Sequence, residues 1–180
     1  MKQADAIRVF DELLLIQART GDKRAAERLA IRWYPRLLRT ARRILLDADL
    51  AEDAVQEAWA SICSGWIGLQ DTARFPAWAY AILSRKCTDC LRKRIRQRTE
   101  VDDSIPCSLP PESERRLALN QAFASLPNDQ RIAATLYFGE GLALSEIALV
   151  TSAPVGTVKS RIFHARRYLK SALDRRNDHV

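Results

Sequence analysis

An all-α chain of two small helical domains joined by an acidic, proline-containing linker is what this sequence predicts, on three observations. Apolar residues return every three or four positions along both halves, no stretch alternates as a strand would, and residues 99–114 interrupt the pattern with acids and prolines. Ala25 to Leu46 carries Leu29, Trp33, Leu37, Ile44 and Leu45 among arginines, with Pro35 as a candidate kink or break. Asp49 to Trp59 opens on Asp-x-x-Glu, so Asp49 can accept an amide hydrogen bond at the helix start and Glu52 can return one. The stretch from Gly65 to Arg74, with Gly65 and Gly68, reads as a loop, and Phe75 to Ile95 as a long helix that ends strongly basic. Beyond the linker, shorter helices are expected at about Arg115–Leu126, Asp129–Phe138, Leu144–Val150 and Pro154–Leu173, bounded by Pro127 and by Gly139 and Gly141.

Charge segregation divides the chain further. Its 180 residues hold 29 Lys and Arg against 22 Asp and Glu, a formal net charge of +7, which points to an anionic partner. Asp47 to Glu57 contains Asp47, Asp49, Glu52, Asp53 and Glu57 and no base. Arg85 to Arg98 contains Arg85, Lys86, Arg92, Lys93, Arg94, Arg96 and Arg98 with Asp89 as its one acid. Residues 99–114 then hold Glu100, Asp102, Asp103, Glu112 and Glu114 without a base, together with Pro106, Pro110 and Pro111. That composition suits a linker, so the domains are placed at 1–98 and 115–180.

The stretch from Leu142 to Leu173 is the most informative for function. A short apolar helix with Ile147, Ala148 and Val150 is followed by a turn at Thr151 to Ala153, and Pro154 stands where a helix begins without losing a hydrogen bond. This is a helix-turn-helix layout. In its second helix Val155, Val158, Ile162, Ala165 and Leu169 form one stripe for burial. The outward set is then Thr157, Lys159, Ser160, Arg161, Phe163, His164, Arg166 and Arg167, side chains suited to phosphates and to base edges in a major groove. A basic outer face alone would be an ordinary solvated surface; the short helix, turn and proline start tip the reading to DNA.

At Pro154-Val-Gly-Thr-Val-Lys-Ser-Arg161, followed by Ala165-Arg-Arg-Tyr-Leu169, the sequence resembles the −35 recognition helix of extracytoplasmic-function sigma factors. Asp49 to Trp59 resembles that family's helix for docking on the polymerase clamp, and Phe75 to Arg94 its −10 element helix. The resemblance covers about Leu13 to Leu173 in the family's order. It implies sigma region 2 at 1–98 and region 4 at 115–180. It further implies that Lys159, Ser160, Phe163 and His164 read the −35 element, with Arg161 and Arg166 near phosphates. The loop of Ile67, Gly68, Leu69, Gln70, Asp71, Thr72 and Arg74 would capture an unstacked −10 base beside Trp78 and Tyr80, while Arg85, Lys86, Arg92, Lys93 and Arg94 hold the strand's backbone. Competing with that role, Phe75, Trp78 and Tyr80 can serve as core aromatics, and at least one is expected to do so. Asp49, Asp53, Gln56 and Glu57 would contact the clamp of the largest polymerase subunit, against the plainer reading of an acidic face that balances nearby arginines. An anti-sigma protein is a further implied partner. The sequence departs from the family pattern at Ala143 (commonly Ser or Thr), Ser152 (Gly), His164 (Arg), Cys90 (His), Pro76 and Ser84 (basic residues).

Other classes fit less well. A dimeric response regulator would share the Thr-Val-Lys signature but needs a strand-containing receiver domain, and a decoy that only binds an anti-sigma protein has no need of Lys159 or of Arg92 to Arg94. No glycine-rich phosphate loop, nucleophile and base pair or metal-ligand set stands out, so neither enzyme nor cofactor is expected. Cys87 and Cys90 form a C-x-x-C, but with Cys63, Cys107, His164 and His179 they make no zinc pattern and read as packing thiols. The apolar stretches are too short to span a bilayer and the first ten residues lack a signal-peptide core, so a cytoplasmic protein without membrane insertion is expected.

Overall fold

Residues 23–45 close into one uninterrupted helix despite the proline at their centre. In a computed structural model of the chain, which describes residues 2–98 and 114–177, the order is α1 (Lys2–Arg19), α2 (Lys23–Leu45), α3 (Ala48–Gly65), α4 (Phe75–Arg98), α5 (Glu114–Ala124), α6 (Asn128–Ala134), α7 (Leu144–Thr151) and α8 (Val155–Asn177). The described residues contain no strand. The proposed linker falls almost wholly outside them.

The N-terminal unit is built on α2. The Asp22 carboxylate caps it, accepting from the Arg24 and Ala25 amides at 2.9 and 3.2 Å. Pro35 lies on the exposed side of α2, which removes one amide without breaking the helix. Leu46, at φ 59°, turns the chain out of α2 in the left-handed region. The cap of α3 is Asp47, whose carboxylate accepts from Leu50 N at 3.1 Å. This corrects the expected Asp49 cap: Asp49 sits within the first turn, and Glu52 turns to the Arg42 guanidinium at 2.9 Å. Its acid still favours the helix, because it lies at the positive end of the dipole.

Trp33 on α2 is the centre of the N-terminal core. Its ring meets Phe75 edge-on at 4.9 Å and Tyr80 at 5.6 Å, and all three are buried. Each such side chain contributes about 2–3 kcal/mol by leaving water. Around them pack Leu29, Leu37 and Ile44 from α2, Val55 and Ile62 from α3, and Leu83 from α4. α1 lays Leu14, Leu15 and Ala18 on this core, a helix the spacing analysis did not single out. Its Asp11 is 3% exposed and accepts from Arg32 Nε at 2.6 Å, with Arg36 at 3.5 Å.

In the C-terminal unit, α6 passes into a single π-turn at Thr135–Gly139 where one longer helix was expected. Arg131 is 5% exposed and ties the two units together: it donates to the Ile44 carbonyl at the end of α2, to Ala124 and Leu126 at the end of α5, and to Asn128 Oδ1. α7 packs against α4, and the apolar core runs without a break from Trp33 through Leu142 and Ile147 to Val158 and Ile162.

Candidate nucleic-acid and polymerase interfaces

α7, its turn and α8 realise the helix-turn-helix. Ile147 and Val150 from α7 and Val158, Ile162, Ala165 and Leu169 from α8 are buried as the spacing required. Val155 departs from it: at 48% exposed it belongs to the first, solvent-facing turn rather than the buried stripe. Ser152 ends α7 at φ 50°, a left-handed conformation in which a glycine would be unstrained. Ala143 has no side-chain acceptor for the first turn of α7, but the Glu146 carboxylate reaches back to accept from Ala143 N at 2.7 Å. Half of a capping box therefore survives the alanine.

The outward face of α8 is assembled as expected. Thr157, Lys159, Ser160, Phe163, His164, Arg166 and Arg167 are all exposed, with the Phe163 and His164 rings edge to face at 5.6 Å. An unburied Phe163, at 58% exposed, is costly in water and available to stack on or pack against a base. Arg161 is different. It is half-buried and ion-paired with Asp129 of α6, so its charge is partly neutralised within the molecule.

The segment from Ile67 to Arg74 is not an open loop but two short 3-10 turns, Trp66–Gly68 and Thr72–Arg74. Asp71 caps the second through Ala73 N, and the Arg19 guanidinium at the end of α1 holds the carbonyls of Ile67 and Leu69, each at 2.9 Å. Ile67, Gly68, Gln70, Asp71 and Arg74 are exposed, while Leu69 and Thr72 are half-buried. Trp78 lies close beneath: a Cβ at Gly65 would stand 3.0 Å from its ring, so the glycine admits the indole. Tyr80 is not brought to this segment. It is 1% exposed, with its hydroxyl on the Glu140 carboxylate, and burial beside that charge drives its pKa far above the usual phenol value. The expectation that a core aromatic hid in this set is met by both Phe75 and Tyr80; only Trp78 remains partly accessible.

Along α4, Arg85, Arg92 and Lys93 are exposed and Lys86 and Arg94 half-buried. Two of these bases meet the acidic helix directly: Lys86 Nζ lies 2.8 Å from Glu57 Oε2, and Arg94 lies 3.8 Å from Asp47. The Lys86 ammonium lowers the Glu57 pKa, chiefly through that hydrogen bond. On α3 the exposed residues Asp49, Asp53, Gln56 and Glu57 fall at helical spacing on one face, opposite buried Ala51, Ala54, Val55 and Ala58. Within the acidic block Asp47, Glu52 and Glu57 balance nearby bases, while Asp49 and Asp53 face solvent.

The buried polar contacts of Asp11, Arg131 and Glu140 carry no local sequence signal. The C-x-x-C thiols sit on α4, with Cys87 buried and pushed up to about 12 by burial, and with Cys63 and Cys90 also raised. No cluster of metal-ligating side chains occurs among the described residues, and Cys107 lies outside them.

Comparison with known proteins accords with this architecture. Residues 29–97 match the Sigma-70 region 2 family and residues 116–169 the Sigma-70 region 4 family. The chain is 31% identical to the RNA polymerase sigma-H factor of Pseudomonas aeruginosa, over 91% of this chain and 93% of that protein. It is 30% identical to the ECF RNA polymerase sigma-E factor of Escherichia coli K12, over 87% and 90%. Its fold is similar to the sigma factor RpoE of Bartonella quintana, solved with the anti-sigma factor NepR, with a TM-score of 0.72 at 24% identity over 82% of this chain and 96% of that one. CnrH, solved with the cytosolic domain of CnrY, gives a TM-score of 0.68 at 24% identity over 92% and 97%. Helical units matching regions 2 and 4, and sigma-factor relatives aligned over nine-tenths of their length, show that the chain belongs to the extracytoplasmic-function sigma factors, alternative factors that direct RNA polymerase in transcription initiation.

Proposed function

We propose that the two units divide promoter recognition and polymerase binding between three surfaces. The outer face of α8 binds the −35 element through Thr157, Lys159, Ser160, Arg161, Phe163, His164, Arg166 and Arg167, with Lys159, Ser160, Phe163 and His164 reading bases and Arg161 and Arg166 near phosphates. The 3-10 turns of residues 66–74 receive an unstacked −10 base over Trp78, and Arg85, Lys86, Arg92, Lys93 and Arg94 track the strand. Asp49, Asp53, Gln56 and Glu57 dock on the clamp of the polymerase's largest subunit. The observation that carries this division is the placement of an exposed acidic face on α3 apart from the exposed basic face of α8.

An anti-sigma protein is the third proposed partner. Supporting it is a groove of about 470 Å³ between α2, α5 and α8, with an apolar floor of Leu119, Phe123 and Leu169 and a basic rim of Arg43, Arg166 and Lys170. That chemistry suits an amphipathic, acidic helix. A cytoplasmic location is proposed; no helix among the described residues is long and apolar enough to cross a membrane.

In-vitro transcription with purified core polymerase and a fragmented genomic library tests the reading. Discrete new start sites sharing motifs near −35 and −10 are expected. Core binding without transcripts would favour a decoy, and neither binding nor transcripts would overturn the proposal.

A further inference from the structure

Glu140 lies in the connection between the π-turn and α7, and its side chain is 1% exposed. Its carboxylate accepts from the Thr40 hydroxyl at 2.6 Å and from the Tyr80 hydroxyl, and Arg39 stands 3.8 Å away. All three partners belong to the N-terminal unit. Gly141, at φ +68°, turns the chain immediately afterwards so that Leu142 inserts at 2% exposed. Nearby, Arg8 of α1 reaches Glu146 of α7 at 3.4 Å. A buried carboxylate inserted across a joint is costly unless its hydrogen bonds are supplied, and here the other unit supplies them.

The joint also turns α4 toward the helix-turn-helix. Between them is a cleft of about 480 Å³ lined by Arg85, Thr88, Arg92, Thr151, Ser152 and Arg161. Such a volume suits a small molecule, not a duplex. The −35 and −10 positions lie some 25 base pairs apart, about 85 Å along B-DNA at 3.4 Å per pair. A compact chain of 180 residues has a radius of gyration of only about 16 Å. The closed form cannot reach both elements.

We propose that Glu140, received by Thr40 and Tyr80, is a latch that holds the two units closed, and that its release precedes simultaneous contact with both promoter elements. The promoter consequence rests on the sigma reading above; the latch itself does not. Small-angle scattering and amide exchange of residues 144–151 in the free full-length chain test it, using Glu140→Gln and Thr40→Val. Both variants should enlarge the radius of gyration and speed exchange about tenfold, the equivalent of one charge-assisted hydrogen bond. Each should also lower the concentration of factor that half-saturates core-dependent transcription. If Glu140→Gln loses its helical circular dichroism, Thr40→Val, which removes one hydroxyl, decides the matter. Folded variants with wild-type scattering and exchange would overturn the latch. Wild-type transcription, run in parallel, separates the two ideas: its absence would refute the sigma reading, while expansion of the variants would still establish the latch.

Discussion

Four neutral oxygens surround the Arg131 guanidinium, and three are carbonyls from the ends of α2 and α5. A cation there satisfies carbonyls that the helices leave unpaired and opposes the negative ends of their dipoles. Burial lowers the Arg131 pKa, yet the group stays charged at any ordinary pH. Arg131→Met should orphan the Ile44 and Leu126 carbonyls, destabilising the fold by roughly 3 kcal/mol. A thermal melt should show this as a Tm lower by about 10 °C; an unchanged Tm would remove Arg131 from the joint.

Cys87 permits a sharper test at the same scale. Its thiol is pushed up to about 12 from an ordinary 9.0, so little of the nucleophilic thiolate exists near neutrality. Iodoacetamide at pH 8 should leave Cys87 of the native chain unmodified over a time that alkylates it fully in denaturant, as read by peptide mass spectrometry. Because the folded pKa is raised, the associated stability is intact below pH 9 and is lost as pH climbs toward 12. Rapid labelling of the native thiol would contradict the burial.

At the scale of elements, α8 separates buried from exposed positions by periodicity alone: Val158, Ile162, Ala165 and Leu169 go in, and Lys159, Phe163 and His164 stay out. His164 is exposed and stacked edge-on with Phe163, so its replacement leaves the core intact. His164→Arg supplies a bidentate donor that favours guanine, worth about 1–3 kcal/mol of discrimination at one base pair. A panel of −35 variants should therefore show a shifted preference. Identical specificity would refute the assignment of this face. The same logic made α3 legible as an acidic helix but not the identity of its cap, since Asp47 and Asp49 are equally competent in sequence and differ only in where α2 releases the chain.

For the whole molecule, the bases of α4 have two sets of partners. Arg94 leans on Asp47, Lys86 on Glu57 and the exposed Arg92 on Asp89 of its own helix at 3.8 Å, while Lys93 is exposed. Ion pairs near the surface, open to solvent screening, are worth little to stability, about 0–1 kcal/mol, so the cluster can be removed without unfolding the unit. Replacing Arg92, Lys93 and Arg94 by alanine should weaken promoter melting, followed by 2-aminopurine fluorescence, far more than core binding measured by titration. Equal losses in both would tell against separate surfaces for DNA and polymerase.

Features that depend on short range were legible in the sequence. Helical periodicity, the Pro154 start of α8, the basic end of α4 and the acidic face of α3 are all set by spacings of three and four, so helix class and outward faces could be read directly. Pro35 stood as a possible kink or break, and that α2 continues through it as one helix is not given by the spacing. The tertiary structure alone decided Tyr80, Arg131 and Glu140. Each is an ordinary residue locally, and each acquires its role from groups 60 to 100 positions away, where burial of a polar atom demands a partner that only the packed molecule supplies.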